Sequence, residues 1–247
     1  MSLYCSKALV LKTRNLGEAD RVLLLLSEEY GKFEAVVKGA RRQRSRFIGN
    51  TLPFNLLNAM FFTGKNLDQL SQAELIHSFA LLREDLIKLA YASFWVELID
   101  EFVPERETVT DIYGFLLAAL ITLEKTTNPE LLNLAFQMRL LNYLGYQPEL
   151  DSCVSCGTQT LRDQYFSAKS GGIICGSCRG NYPDADKLEA FEIQFLQQLG
   201  NLDIRQLKLL EIPGIDLKNI RKLLRQFIEY RLDHPLKTQV FLDNVLS

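Results

Sequence analysis

The spacing of hydrophobic and polar residues along this chain changes once, near Ser78. Before it, apolar residues come in short runs: Ala8–Leu11, Val22–Leu26 and Phe33–Val37, parted by the turn-forming groups Asn15-Leu-Gly17 and Tyr30-Gly31. Two further runs, Pro53–Phe62 and Leu67–Ile76, are split by Thr63-Gly-Lys-Asn66. Short apolar runs bounded by turn residues read as strands joined by hairpin-like connections. Five such strands fit a small closed barrel of the OB type. They also fit an SH3-like barrel, and counting strands does not separate the two.

From Phe79 to Gly145 the apolar residues recur at three- and four-residue steps, the spacing of a helix face. Leu86, Leu89, Ala90 and Phe94 form one stripe, and Leu116, Ala119, Leu120 and Leu123 another. Trp95, within the aromatic-rich Tyr91–Phe102 stretch, reads as helix core. Pro104 and Asn128-Pro129 divide this region into three helical stretches. Leu144-Gly-Tyr-Gln-Pro148 stops the last with a glycine followed by a proline. Periodicity is lost over 150–183 and returns with the stripe Ala190, Phe191, Phe195 and Leu199. The expected fold class is α+β: a five-stranded OB-type barrel in residues 1–80, then an α-helical domain in 81–247 carrying an insert at 150–183. No repeat or low-complexity segment interrupts it.

The composition, 47% hydrophobic and 23% charged over 247 residues, is that of an ordinary globular chain. The longest apolar run, Phe115–Ile121, is far too short to span a bilayer. Met1-Ser-Leu-Tyr-Cys5 lacks the basic start and apolar core of a secretory signal, so a cytoplasmic location is expected. The net charge of −2 hides an asymmetry. Residues 1–80 carry 11 Lys and Arg against 7 Asp and Glu; the remainder carries 17 against 23. A basic head on an acidic body points to a polyanion partner for the head.

The insert holds the strongest chemical signal. Cys153-Val-Ser-Cys156 and Cys175-Gly-Ser-Cys178 give the spacing C-x2-C-x18-C-x2-C, that of a four-thiolate zinc site. Each C-x2-C turn aims two sulfurs at one ion, and the long segment brings the second pair back to complete a tetrahedron. Stable disulfides are not expected in a chain without an export signal. A redox reading needs a C-x-x-C at the end of a strand in a βαβ unit, and both pairs lie among loop-forming residues. Four thiolates fill the metal's shell, and His77 and His234 lie far from the cysteines in sequence, so the zinc is read as structural. Such an ion contributes about 10–16 kcal/mol of apparent binding energy to folding its surroundings. Cys5, alone, reads as a small buried apolar residue.

Two basic segments are candidates for binding. Lys38-Gly-Ala-Arg-Arg-Gln-Arg-Ser-Arg46 carries Lys38, Arg41, Arg42, Arg44 and Arg46 and no acid, between two strands and flanked by Phe33 and Phe47. Cations there pair with phosphates, and neighbouring rings can stack bases; the bland alternative is a solvated loop. Lys12 and Arg14, at the end of the first strand, extend the same surface. In Leu217–Ile228, Leu217, Ile220, Leu224, Phe227 and Ile228 form an apolar stripe. Lys218, Arg221, Lys222 and Arg225 lie outside it, as on an ordinary surface helix or a cradle for an acidic peptide or DNA. Enzyme signatures are missing from the sequence: no phosphate-binding G-x-x-x-x-G-K-[ST], no G-x-G-x-x-G and no G-x-S-x-G. A nuclease with an auxiliary zinc ribbon lacks any acidic ligand cluster. A protein–protein adaptor whose basic loop only aids solubility remains the principal competing reading.

A set of residues in fixed order carries a wider resemblance. Ala8-Leu-Val-Leu-Lys-Thr-Arg14, Gly17-Glu-Ala-Asp-Arg21, Tyr30-Gly-Lys32 and Val37-Lys-Gly-Ala-Arg-Arg42 open the chain. Phe136-Gln-Met-Arg-Leu-Leu141, Gly145-Tyr-Gln-Pro148, the cysteine pairs, Gly171-Gly-Ile-Ile-Cys175 and Pro235-Leu-Lys-Thr238 follow. In this order they resemble the bacterial DNA-repair and recombination mediator family RecO over essentially the whole chain. The resemblance implies an N-terminal OB domain, an α-helical body and a zinc knuckle. It implies binding to single- and double-stranded DNA, annealing of complementary strands, and contact with RecR and with the acidic tail of single-stranded-DNA-binding protein. No catalysis, small-molecule substrate or membrane is implied, and the setting is the cytoplasm and its nucleoid. The family's DNA contacts fall on Lys38, Arg41, Arg42, Arg44 and Arg46, with Lys12 and Arg14 beside them. Lys218, Arg221, Lys222 and Arg225 are the candidate contact for the acidic tail.

Overall fold

A computed structural model describes residues 2–108, 111–159, 163–209 and 217–246, so 160–162 of the cysteine segment lie outside the described residues. The chain forms two compact units, one reaching Lys125 and one spanning Thr126–Val245. The first opens with β1 (Leu3–Leu16), β2 (Asp20–Ser27), β3 (Gly31–Val37), β4 (Leu56–Phe62) and β5 (Asp68–His77). β1 pairs antiparallel with both β2 and β4, β2 with β3, and β4 with β5. A two-residue parallel seam, Ala35 with Asp68 and Val36 with Gln69, joins β3 to β5 and closes the ring in the order β1-β2-β3-β5-β4.

Alternation along the strands fills the ring's interior. Ala8, Val10, Leu23, Leu25, Phe33, Ala35, Val37, Leu57, Ala59, Phe61 and Leu70 form one buried cluster. Gly31 makes the β2–β3 turn with φ +62°, and a Cβ there would lie 2.1 Å from the Glu107 carbonyl oxygen, so only glycine fits. β1 starts five residues before the expected Ala8, because Leu3–Lys7 pair with the far end of β4. In that stretch Ser6 points inward while Leu3, Cys5 and Lys7 point out. Cys5 is therefore exposed, which corrects the expectation that it is buried.

The rest of the first unit is α1 (Ala80–Glu84), α2 (Leu86–Phe102) and α3 (Ile112–Lys125). The breaks at Pro104 and Asn128-Pro129 stand where the sequence places them, and Asp85 caps α2 by accepting from the N–H groups of Ile87 and Lys88. Leu116, Ala119, Leu120 and Leu123 are buried as expected. The expected stripe on α2 is wrong at its start, where Leu86 is exposed; from Ala90 to Ile99 the helix is buried on almost every side, Trp95 and Tyr91 included. Asp100 of α2 accepts hydrogen bonds from Lys12 of β1 and from the buried Lys32 of β3, tying helix to barrel.

The second unit is built on α4 (Pro129–Tyr143), buried along most of its length. It continues through β6 (Gln164–Ser167), β7 (Gly172–Cys175) and β8 (Asp186–Lys187), which form a small antiparallel sheet in the order β7-β6-β8. α5 (Ala190–Asn201), α6 (Leu217–Leu232) and α7 (Lys237–Leu246) follow. On α5 Phe195 and Leu199 are buried as expected. Ala190 and Phe191 face solvent instead, and Ile193 and Leu196 take the inner positions. On α6 Ile220, Leu224, Phe227 and Ile228 are buried, with Leu223 beside them and Leu217 half-buried. Among the described residues, no helix is long and apolar enough to cross a membrane.

The closing seam contains a buried charge. The Asp68 carboxylate is fully enclosed and accepts from the Tyr4 hydroxyl, from the Gly64 N–H at 3.0 Å and from Arg106 at 3.1 Å. Burial alone would raise its pKa, but these three donors outweigh burial and hold it below the usual carboxylate value. A carboxyl depressed on folding contributes stability above the unfolded value, about 3.9, and loses it as pH falls through the folded value. Asp68→Asn is expected to cost about 2 kcal/mol at pH 7, since hydrogen bonds to a charged acceptor are removed. In chemical denaturation it should also lose less stability than the unsubstituted protein between pH 5 and about pH 2.

Candidate metal centre and nucleic-acid interface

The four cysteines converge. One sulfur from each of Cys153, Cys156, Cys175 and Cys178 lies within 4.8 Å of every other. Metal–sulfur bonds of about 2.3 Å give a tetrahedron with edges of about 3.8 Å. The Cys156 and Cys175 sulfurs stand 3.8 Å apart. The first pair occupies a tight turn in which the Gly157 N–H donates to the Cys153 carbonyl at 2.8 Å. Gly157 has φ +73°, a conformation glycine adopts without strain. The turn is pinned to the sheet by the Val154 N–H donating to the Ile173 carbonyl at 2.9 Å. The second pair starts on the last residue of β7 rather than in a loop. That corrects the loop placement, yet the strand belongs to an antiparallel sheet and not to the βαβ unit a thioredoxin-like site requires.

The site favours thiolate on one sulfur. Burial pushes the Cys153 thiol up, but N–H groups of Cys175, Cys156 and Ser155 outweigh it and bring its pKa to about 6. The Cys175 N–H lies 3.3 Å from that sulfur. For Cys178 a hydrogen bond with Ser155 pulls down, while the neighbouring sulfurs of Cys175, Cys156 and Cys153 prevail and raise it to about 11. Four thiols this close compete for protons, and a cation bound among them would replace those protons. These residues fit a metal ion with an all-sulfur shell.

The basic segment is a series of turns between β3 and β4, and Lys38, Arg41, Arg42, Arg44 and Arg46 are all exposed. Two apolar residues root it: Ala40 and Phe47 are buried in the barrel's core cluster. Phe33 and Phe47 are thus interior, which corrects the expectation that they stack bases. The cations differ in their engagements. Lys38 pairs with Asp20 at 2.9 Å. The Arg41 guanidinium donates to the Gly17 carbonyl at 3.0 Å, and Arg46 donates to the Ser71 carbonyl at 2.8 Å while lying over the Phe47 ring. Arg42 and Arg44 make no side-chain hydrogen bond or ion pair with any described residue. Of the flanking pair, Arg14 is held by Glu34 and Lys12 by Asp100, both at 2.8 Å. Sequence reasoning missed the role of the Gly17–Asp20 turn in gripping this segment; the compact Gly17-Glu-Ala-Asp20 group was its only trace.

The basic residues of α6 are more occupied. Arg221 pairs with Glu130 at 3.3 Å, Lys222 with Asp186 at 2.9 Å, and Arg225 with both Glu229 and Asp243. Lys218 is exposed on the same helix. Here the cations work first as internal ties.

Comparison with known proteins places the chain. A family profile described as Recombination protein O N terminal matches residues 1–79, and one described as Recombination protein O C terminal matches residues 83–239. A DNA repair protein RecO from Symbiobacterium thermophilum is 37% identical over 251 residues, covering 100% of this chain and 99% of the relative. One from Desulforamulus reducens is 34% identical, covering 99% and 96%. One from Pelotomaculum thermopropionicum is 33% identical, covering 98% and 94%.

Because binding displaces thiol protons, metal affinity is expected to rise with pH and the ion to be released on acidification. Elemental analysis of the purified protein should find the metal at neutral pH and lose it below about pH 5. Cys153→Ser and Cys178→Ser should each abolish stoichiometric binding; full metal content in both would contradict the four-sulfur site.

Proposed function

The chain belongs to the RecO family of DNA repair and recombination proteins, and from that premise we propose that it is a non-catalytic DNA-binding mediator. It binds single- and double-stranded DNA, promotes annealing of complementary strands, and acts with RecR so that the recombinase replaces single-stranded-DNA-binding protein. The observation that carries this reading is the exposed arginine group Arg41, Arg42 and Arg44, none of which pairs with a carboxylate among the described residues. Two strands approaching each other repel through their phosphates, and guanidinium groups fixed on a rigid turn screen that repulsion. With the neighbouring rings buried, the contact is to backbone phosphates, a mode indifferent to sequence and available to single and double strands alike.

Residues 1–80 serve as the DNA-binding module and 81–247 as the helical body. The strand order, with β1 between β2 and β4 and a parallel β3–β5 closure, supports an OB-type barrel for the module. Lys38 and Arg46 complete the phosphate contacts, and Lys12 and Arg14 join when phosphate takes the place of Asp100 and Glu34. The metal is one structural zinc ion per chain, a reading supported by the four-thiolate donor set. When bound it braces the cysteine turns against the β6–β7 hairpin. The acidic tail of single-stranded-DNA-binding protein docks on α6, exchanging with Asp186 at Lys222 and with Glu130 at Arg221. The protein works in the cytoplasm, on the nucleoid.

Titration of an oligonucleotide against salt tests the DNA reading. The five cations of residues 38–46, engaged on a single strand, contribute about −3.5 to the log–log slope, so through them a fourfold rise in salt weakens binding about a hundredfold. In an Arg41/Arg42/Arg44→Ala triple variant that contribution should fall to about −1.4, and the weakening it causes over the same rise in salt to about sevenfold. An unchanged slope and affinity in that variant would defeat the assignment and favour a protein–protein adaptor.

A further inference from the structure

The basic turn is gripped from outside by the β1–β2 turn. Asp20 Oδ1 accepts the Gly39 N–H at 2.8 Å, and Asp20 Oδ2 accepts Lys38 Nζ at 2.9 Å. The Ala19 carbonyl accepts the Arg41 N–H at 2.9 Å, and the Gly17 carbonyl accepts the Arg41 guanidinium at 3.0 Å. Gly39 has φ +66°, and the Arg42 N–H donates to its carbonyl at 3.1 Å. Gly39 is one of the points that set the direction in which Arg41 and Arg42 leave the barrel, and there Asp20 makes the only side-chain hydrogen bond to the backbone of residues 38–42 among the described residues.

We propose that Asp20 is a positioning residue for polynucleotide binding: although it is an acid inside a basic patch, its acceptor on the Gly39 N–H raises affinity by fixing the turn that presents Arg41 and Arg42. This rests on the DNA-binding reading above. Simple electrostatics gives the opposite sign, since a carboxylate beside the phosphates repels them and neutralises Lys38. Positioning opposes that repulsion by removing conformational freedom before DNA arrives. The Asp20 carboxyl lies below its usual value because the Gly39 N–H, then Lys38, favour the charged form.

Substitutions can separate charge from position. Asp20→Asn and Asp20→Ala remove the same charge, but only asparagine keeps an acceptor for the Gly39 N–H. Asp20→Glu keeps the charge and displaces the acceptor by one methylene. At fixed salt Asp20→Ala should bind a fluorescent oligonucleotide about tenfold more weakly than Asp20→Asn, the effect of leaving one or two long side chains unordered. The two salt slopes should agree, because the same cations still meet phosphate. Asp20→Glu should bind more weakly than the unsubstituted protein, and this comparison decides the matter if the alanine variant does not fold. Equal affinities within either pair would overturn the proposal. If the triple arginine variant binds as well as the unsubstituted protein, the DNA reading itself fails and the Asp20 proposal falls with it. If the triple variant weakens while alanine matches asparagine, Asp20 alone is refuted.

Discussion

The first unit depends on closing a ring of five strands, and the seam that closes it is only two residue pairs long. Asp68 stands at that seam. Its backbone pairs with Ala35 of β3, while its buried carboxylate gathers Tyr4 from β1, Gly64 from the β4–β5 turn and Arg106 from beyond α2. A buried charge is costly unless its oxygens are satisfied, and here three donors satisfy it. An open seam would expose the backbone edges of β3 and β5. It would also free Phe33 and Val37 from the core, and with them the strand from which the basic turn departs. Lys32, buried on the same strand and bonded to Asp100, ties β3 to α2 in the same manner.

The basic turn inherits this rigidity. Ala40 and Phe47 anchor it from within, and the β1–β2 turn holds it from outside. Its arginines project from a fixed base, so in the proposed DNA contact less of their freedom would be lost on binding phosphate. The second unit solves a different problem. The cysteine segment carries few apolar residues, and the convergence of four sulfurs supplies a centre around which two turns can be organised. Further ties come from β6, where Phe166 meets Phe227 of α6, and from Arg231, which donates to the Ala168 carbonyl.

Much of this was legible in the sequence where the signal is local. The five strands show as short apolar runs, and the cysteine cluster shows because C-x2-C spacing is itself the geometry of two ligands on one turn. The start of β1 was not visible, because Leu3–Lys7 mixes apolar and polar residues on an exposed strand end. The face of α2 was misread because a helix buried on nearly all sides has no single stripe to find. Least legible was which cations are engaged. Lys12 and Asp100 are 88 residues apart, Arg14 and Glu34 are 20 apart, and Lys38 and Asp20 are 18 apart. Counting charges cannot anticipate such pairs. Tertiary structure turns a uniform basic run into a few available arginines and several occupied ones, and it withdraws Phe33 and Phe47 into the core.

The proposed polynucleotide contact is tested most directly by hydrogen exchange with and without a single-stranded oligonucleotide. Amides of residues 38–46 should exchange more slowly in the complex, while those of α6 from Lys218 to Arg225 stay unchanged. Slowed exchange along α6, with none in the β3–β4 turn, would contradict the account.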